Sequence, residues 1–385
     1  MPGNVALRRT RLAALTAAQA AAAAVPARDA GLEISELNAF PVREPVSRRA
    51  YSIVRLRTRG GLTGYGECPG ATSADIGRAG ETIRGAPATS YEVLARRLAG
   101  LGSLGAAVNM ALLDVIGKAA KAPVYQVLGG PTRFKARALA PLAGDSDAAL
   151  ASSMKRAAAA GYRAFLVPAP APPSRNQGQA WVLAVRKRLD ALRGAGGEAV
   201  DFVLDGGAAL TPGDAASAST ALEKFHLLWF DEPCPPTNLG AVRKIAAENV
   251  TPIGFGRSLR TGAAFQDLLR EDAIDVIRPD ISLNGITVIR RMAAIAETYY
   301  IAAAPYHDGG PVATAAALQL AASLPNFFIQ QIPLPEAEED RRMRAEIAGT
   351  AVETVKDGFA SLPAGPGLGI TVNDEALKKY REATA

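Results

Sequence analysis

DFVLD (residues 201–205), LLWFDEP (227–233) and TPIGFGR (251–257) decide how this chain folds. Each is a short apolar run that reaches a polar side chain: Asp205, Glu232 and Arg257. These three residues are 27 and 25 positions apart, the length of one strand, one helix and two short loops. Repeated β/α units of that length close into a parallel barrel, and residues at the strand ends line its C-terminal mouth. Two acids side by side there point to a divalent-metal site. The third position holds a cation, so the carboxylate set is incomplete.

Working outward, the same rhythm runs from Arg137 to Gln331. ALAPLA (138–143), YRAFLVPA (162–169), IDVIRPD (274–280), YIAAAP (300–305) and NFFIQQ (326–331) complete eight strands. Helical patterns at 145–160, 177–193, 215–225, 239–249, 261–270, 286–298 and 311–323 separate them. Eight evenly spaced strands favour a closed barrel over an open doubly wound sheet. No Gly-rich dinucleotide or phosphate loop follows any strand.

Ahead of the barrel, residues 32–40 and 52–58 alternate apolar with polar, a turn follows at Arg59-Gly60-Gly61, and LTGYGE (62–67) continues as a third strand. Helical segments fall within 81–101 and over 108–119, so residues 32–132 form an α+β domain. The barrel occupies 133–335, and residues 336–385 are expected to return to the first domain. Within that tail, PLPEAEEDRRMR (333–344) reads as a charged surface segment, 352–355 and 357–362 as short strands, and 374–381 as a helix.

The net charge is +6, with Lys and Arg scattered rather than clustered with aromatics, so no nucleic-acid surface is expected. Cys68 and Cys234 cannot define a disulfide framework and read as buried small side chains. Arg8, Arg9 and Arg11 precede the apolar run LAALTAAQAAAAAV (12–25), then Pro26 and Ala27. Residues 1–27 therefore read as a secretory signal of the twin-arginine type, which places the protein in the periplasm. The alternative is a plain Ala-rich tail on a cytoplasmic protein. The run is too short for a stable membrane span.

LTGYGE (62–67), ALLDVIGKAAKAPVYQVLGG (111–130), WFDEP (229–233), IRPD (277–280), GGPVATAAALQLAASLPNF (309–327) and DGFASLPAGPGLGITV (357–372) carry a family resemblance. Together they make residues 32–385 resemble the enolase superfamily in its mandelate racemase/muconate lactonizing enzyme branch, and within it the galactonate-type sugar-acid dehydratases. The resemblance implies a modified TIM barrel, (β/α)7β, under an N-terminal α+β capping domain completed by the C-terminal tail. It also implies Mg2+, and proton abstraction next to a carboxylate that leads to dehydration or epimerisation of a sugar acid. Asp205 and Glu232 match the first two metal ligands; the third, an acid in a Gly-Glu pair, is Gly256-Arg257 here. Where the family often has Asn after the first ligand, this chain has Gly207. The strand-two lysines fall at Leu166 and Pro168, and the acid ending strand eight is Gln331. The family's Asp–His dyad matches Asp280 and His307, although alignment on Pro305 and Pro311 puts Tyr306 in the histidine slot.

The chemistry explains why these departures matter. A carbon acid beside a carboxylate is very weakly acidic, and its enolate needs strong electrostatic stabilisation in a dry site. A divalent ion held by carboxylates supplies that as a Lewis acid. Asp205, Glu232 and Arg257 carry one net negative charge, as three carboxylates around Mg2+ would. A guanidinium bridging both acids keeps the charge balance but offers no open coordination position. The Mg2+ site is thus expected to be lost or weak. Three readings stay open. One is an enzyme with His307 as base and acid, supported by Asp280, with Tyr306 as a substrate contact or alternative proton donor. Another is a catalytically impaired homologue holding a small carboxylate on Arg257. The last is a structural paralogue. The expected partners are a sugar acid or other small carboxylate and further copies of the chain. His226, Trp181 and Trp229 read as structural. Residues 45–51 and 68–73 supply the loops over the mouth, where Arg48 and Arg49 read as surface charge or as anion contacts.

Overall fold

The computed structural model describes residues 31–171, 178–197, 199–236, 239–247, 250–260 and 262–382. The expected signal at 1–27 lies outside them. Strands β1 (Ile34–Arg43), β2 (Ala50–Thr58) and β3 (Thr63–Cys68) form an antiparallel sheet in that order. Glycines in β3 let a helix lie on this sheet. A Cβ at Gly64 or Gly66 would stand 2.1 or 1.9 Å from the backbone carbonyls of Ala111 and Ala107 in the helix Ser103–Ala119. Only a residue without a side chain permits that approach.

Eight parallel strands follow: β4 (Lys135–Pro141), β5 (Ala164–Pro168), β6 (Asp201–Asp205), β7 (Trp229–Asp231), β8 (Ile253–Phe255), β9 (Val276–Ile277), β10 (Ala302–Ala303) and β11 (Gln330–Gln331). They pair in sequence order from β4 to β10, and β11 pairs back onto β4. A bridge between Ala303 and Phe327 joins the last gap. This is the modified TIM barrel, with the three-stranded sheet and its helices as cap. The interior is filled by Leu139, Ala164, Leu166, Val203, Trp229, Val276, Ala304 and Ile329. Strands buried on both faces read as continuous apolar runs, which is why they stood out in the sequence. The strand expected over 326–331 is confined to its last two residues.

Two segments differ from their expected form. The helix after β9 starts at Ile281 rather than at 286, because Asp280 caps it through the Ser282 N–H. Gly285, at φ 70°, breaks that helix, so its apolar periodicity restarts at 286, where the sequence pattern places the helix start. The charged segment at 333–344 is not simply surface: Glu338–Ala348 is a helix. Three acids in its first turn suit the helix dipole, and Met343, Ile347 and Ala348 give it a buried face. Two of its charged residues are buried as well. Asp340 accepts from the Val46 and Ser47 N–H groups, and Arg344 donates to Glu44 at 2.6 Å. The hairpin β12 (Val355–Lys356) and β13 (Phe359–Ser361) then adds to β4, antiparallel. Further along, the Leu368 N–H donates to Asp114 of the cap, and Arg381 bridges to Val42.

Candidate active site

The ends of β6, β7 and β8 meet at the barrel mouth. Arg257 donates from Nη1 to Asp205 Oδ2 at 2.9 Å and from Nη2 to Oδ1 at 2.5 Å, a two-pronged pair. The Gly207 N–H also donates to Asp205. Glu232 is held differently. Its Oε1 accepts the backbone N–H groups of Gly256 and Arg257, at 2.7 and 2.8 Å. The guanidinium therefore does not bridge Asp205 and Glu232 as the sequence suggested; its Nε instead lies 3.5 Å from Asp231 Oδ2. Backbone geometry is the cause. Gly256 has φ 138°, and a Cβ there would stand 2.3 Å from the Phe265 ring. With the chain turned that way, two N–H groups already serve Glu232. Glu232 itself sits at φ 44°, which breaks strand alternation and lets consecutive acids, Asp231 and Glu232, both serve the site.

Burial raises the Glu232 carboxyl above its usual range, and Asp231 adds to the effect against its two backbone bonds. Burial lowers the Arg257 guanidinium, but Asp231, Asp205 and Glu232 outweigh it and hold the charge firmly on. Behind this pair lies a second one. Asp231 is fully buried; its Oδ1 accepts from Trp229 Nε1 at 2.8 Å and from Arg278 Nε at 3.0 Å. Arg278, also fully buried, donates to the Ala304 carbonyl and to Gln331 Oε1, both at 2.8 Å. Trp229 thus does more than pack. Sequence reasoning missed Asp231 and Arg278. The available signal was a charged residue directly ending an apolar strand, in WFD and again in VIR.

Asp280 and Tyr306 are neighbours across a parallel bridge. The Tyr306 ring centre lies 5.5 Å from the Arg257 guanidinium carbon and 5.7 Å from that of Arg278, so this ring belongs to the mouth. Burial pushes the Asp280 carboxyl up to about 7, opposed by the Ser282 and Leu283 N–H groups. Burial, with Asp308 and Asp280 nearby, pushes the Tyr306 phenol up to about 12, so it stays protonated. His307 is placed elsewhere. It is fully buried, its Nδ1 accepts from the Gly309 N–H, and its Nε2 lies 3.3 Å from Thr314 Oγ1. Thr314 donates to Glu353, which also pairs with Arg344. Burial, reinforced by Arg344 and Arg49, holds the imidazole down at about 3. The His307–Asp280 dyad expected from spacing is therefore not assembled. Adjacent residues of an extended segment point opposite ways, and here Tyr306 takes the side that faces Arg257.

The cap reaches over this end of the barrel. Glu67 of β3 is buried and accepts the Gly310, Val312 and Ala313 N–H groups at the start of the helix Pro311–Ala321. Burial pushes its carboxyl up to about 7 against those bonds. Arg49, from the loop between β1 and β2, donates to the Asp308 carbonyl and carboxylate at 2.9 and 2.6 Å. Arg48 supplies a carbonyl to Arg43.

These residues do not fit an Mg2+ ion, which needs several free oxygen ligands in octahedral array. Both Asp205 oxygens face the Arg257 guanidinium, one Glu232 oxygen is spent on backbone donors, and the third position is cationic. Among the described residues no cluster of three or more His, Cys, Asp or Glu could hold a metal. Leu166 belongs to the apolar barrel interior and Pro168 stands in register with Asp205, so no amine faces the site from β5. Cys68 and Cys234 are free and buried, and burial pushes their thiols up to about 12 and about 11. Among the described residues no helix is long and apolar enough to cross a membrane.

Residues 39–129 match the mandelate racemase/muconate lactonizing enzyme N-terminal domain, and residues 149–376 match the enolase C-terminal domain-like family. A D-xylonate dehydratase of Haloferax volcanii is 26% identical over 360 residues, covering 85% of this chain and 84% of that protein. A D-galactonate dehydratase of Ralstonia nicotianae is 28% identical over 282 residues, covering 73% of this chain and 74% of its own. The crystal structure of a mandelate racemase/muconate lactonizing enzyme-like protein from a Roseovarius species superposes with a TM-score of 0.81 at 28% identity, covering 92% of this chain and 96% of that one. The capped barrel is thus that of a known lineage: the chain belongs to the enolase superfamily, in the mandelate racemase/muconate lactonizing enzyme branch.

Proposed function

We propose that the barrel mouth binds a small carboxylate of the sugar-acid class and does so without a divalent cation. The observation that carries this is the Arg257–Asp205 pair, which sets a permanent guanidinium at the end of β8. Two of its five N–H donors go to Asp205 and the Nε lies toward Asp231, so two remain for a ligand. A fixed cation in a partly dry mouth suits a carboxylate, and the polyol character of the ligand is inferred from the sugar-acid dehydratases among the relatives. The test is calorimetric titration of a sugar-acid panel in the presence of EDTA. Saturable binding that Arg257→Ala abolishes supports the proposal. Binding that appears only on adding Mg2+ overturns it.

A second reading, dehydration, is favoured by Asp280 standing next to Tyr306 with its carboxyl at about 7. In it the proton on the carbon next to the substrate carboxylate passes to Asp280. The neighbouring hydroxyl leaves as water with a proton from Tyr306, and the resulting enol becomes a keto acid. The fixed charge of Arg257 faces the enolate oxygens. Keto-acid formation from any panel member, lost in Asp280→Asn, supports this chemistry; turnover that survives in Asp280→Asn removes it.

A further inference from the structure

The loop that carries Tyr306 into the mouth runs from β10 to the helix Pro311–Ala321. Its far half lies in a slot that admits no side chains. A Cβ on Gly309 would stand 2.4 Å from Glu67 Oε1, and one on Gly310 would stand 2.4 Å from the Tyr51 ring. This stretch is therefore held through its backbone. Arg49 donates to the Asp308 carbonyl, and Glu67 accepts the Gly310 N–H. The Gly309 carbonyl accepts from Nη2 of Arg344, in the tail helix Glu338–Ala348, at 2.7 Å. Arg344 is 1% exposed. Its other bonds go to Glu44 of the cap at 2.6 Å and to both oxygens of Glu353 at 2.8 and 2.6 Å. One guanidinium thus joins cap, tail and mouth loop, a task that suits its rigid fork.

A second route leads from the same ion pair to the same glycine. His307 Nδ1 accepts the Gly309 N–H at 3.2 Å, so the proton of this neutral ring sits on Nε2. Nε2 donates to Thr314 Oγ1 at 3.3 Å, and the Thr314 hydroxyl donates to Glu353 Oε1 at 2.7 Å. Gly309 is gripped at its carbonyl by Arg344 and at its N–H by the chain from Glu353. Buried His307, which has no place in the mouth, has a task in this chain.

We propose, on the reading of the mouth as a carboxylate site, that Arg344 is a positioning residue for it. With Glu353, Thr314 and His307 it fixes the loop 306–310, and thereby the Tyr306 ring beside Arg257. A ring that drifts from its place 5.5 Å from the guanidinium carbon lets water onto the cation and weakens its hold on an anion.

Three variants test this. Thr314→Val cuts the chain with little change of shape, Thr314→Ser restores the hydroxyl, and Arg344→Lys keeps the charge but loses the fork. Melting curves show that each folds. Hydrogen exchange at the amides between Pro305 and Pro311 reports the loop, and calorimetry with the sugar-acid panel in EDTA reports the mouth. In Thr314→Val the loop amides should exchange about tenfold faster, and the tightest panel member should lose about tenfold in affinity. Thr314→Ser returns both toward the parent values, and Arg344→Lys loses at least as much as Thr314→Val. In a Tyr306→Ala background Thr314→Val weakens binding no further, because both act through one ring. A purely structural Arg344 would lower the melting temperature without that coupling. Loop exchange unchanged in both Thr314→Val and Arg344→Lys overturns the proposal. So does an equal loss of affinity with and without the Tyr306 ring. If the parent binds no panel member, the carboxylate reading of the mouth fails by itself. Faster loop exchange then still supports the hold of Arg344 on Tyr306, and unchanged exchange overturns it.

Discussion

Arg278 with Asp231 and Arg257 with Asp205 use the same two functional groups in opposite surroundings. The first pair has side chains 0% exposed; in the second, Arg257 and Asp205 keep 19% and 20%. A buried ion pair is tolerated only if further hydrogen bonds replace the lost water. Arg278 meets that demand, with acceptors on Asp231, Ala304 and Gln331, while Trp229 adds a donor to Asp231. Arg257 faces three carboxylates, Asp205, Asp231 and Glu232, but its hydrogen bonds go to Asp205 alone. The buried pair ties the ends of several barrel strands together, and the mouth pair leaves two N–H donors open, on which the proposed carboxylate binding rests.

The contrast breaks most visibly at Arg278. Arg278→Ala leaves the buried Asp231 with only the Trp229 N–H and the more distant Arg257 Nε, and should cost about 3–5 kcal/mol in urea denaturation. Arg278→Lys should recover little, since one ammonium cannot span three acceptors placed for a planar fork. A loss below about 1 kcal/mol in the alanine variant would make the two pairs alike.

Asp280 sharpens the contrast on the mouth side through pH. Its folded carboxyl titrates at about 7, above the usual carboxylate value near 4. The native state therefore binds this proton more tightly than the unfolded chain does. Stability contributed by protonated Asp280 is present below about pH 4, declines as pH rises to about 7, and is flat beyond. Asp280→Asn should flatten that decline, so the variant gains on the parent between pH 5 and pH 8. Glu67, also at about 7, leaves a residual slope in both proteins. An unchanged difference between the two pH values would take Asp280 out of the titration.

Arg257→Ala is expected to have the smallest effect on folding, about 1–2 kcal/mol, because water reaches the Asp205 left behind. A cost equal to that of Arg278→Ala would mean that the mouth pair is structural too.

The barrel was legible because its strands are apolar on both faces and end in polar residues at regular spacing. The adjacency of Asp205, Glu232 and Arg257 followed from spacing alone, but the partner of each did not. Which acid takes the guanidinium depends on two positive-φ residues, Glu232 and Gly256, and a backbone angle leaves little trace in a pattern of apolar and polar letters. Tyr306 and His307 show the same limit. Spacing fixes the loop, not which of two neighbours turns inward. Asp231 and Arg278 were hidden for another reason. Charged residues at strand ends read as mouth residues, yet Gln331 and the Ala304 carbonyl come from β11 and from the end of β10, and only the closed barrel brings these together. The helix Glu338–Ala348 was masked by its own composition, since two of its charged side chains, Asp340 and Arg344, are buried against cap residues far away in sequence.

That last helix bears on how the molecule is made. Glu44, Asp114 and the Val46 and Ser47 amides are synthesised early, and their partners Arg344, Leu368 and Asp340 come some 250 to 300 residues later. A cap emerging from the ribosome therefore carries buried-type carboxylates that have some local partners, Tyr65 and Lys118 for Asp114 and Ser47 for Glu44, but lack the rest until nearly the whole chain is out. Contacts of such long sequence separation form slowly. The cap is the first part translated and among the last completed, and during that wait it depends on whatever keeps its open face from other chains.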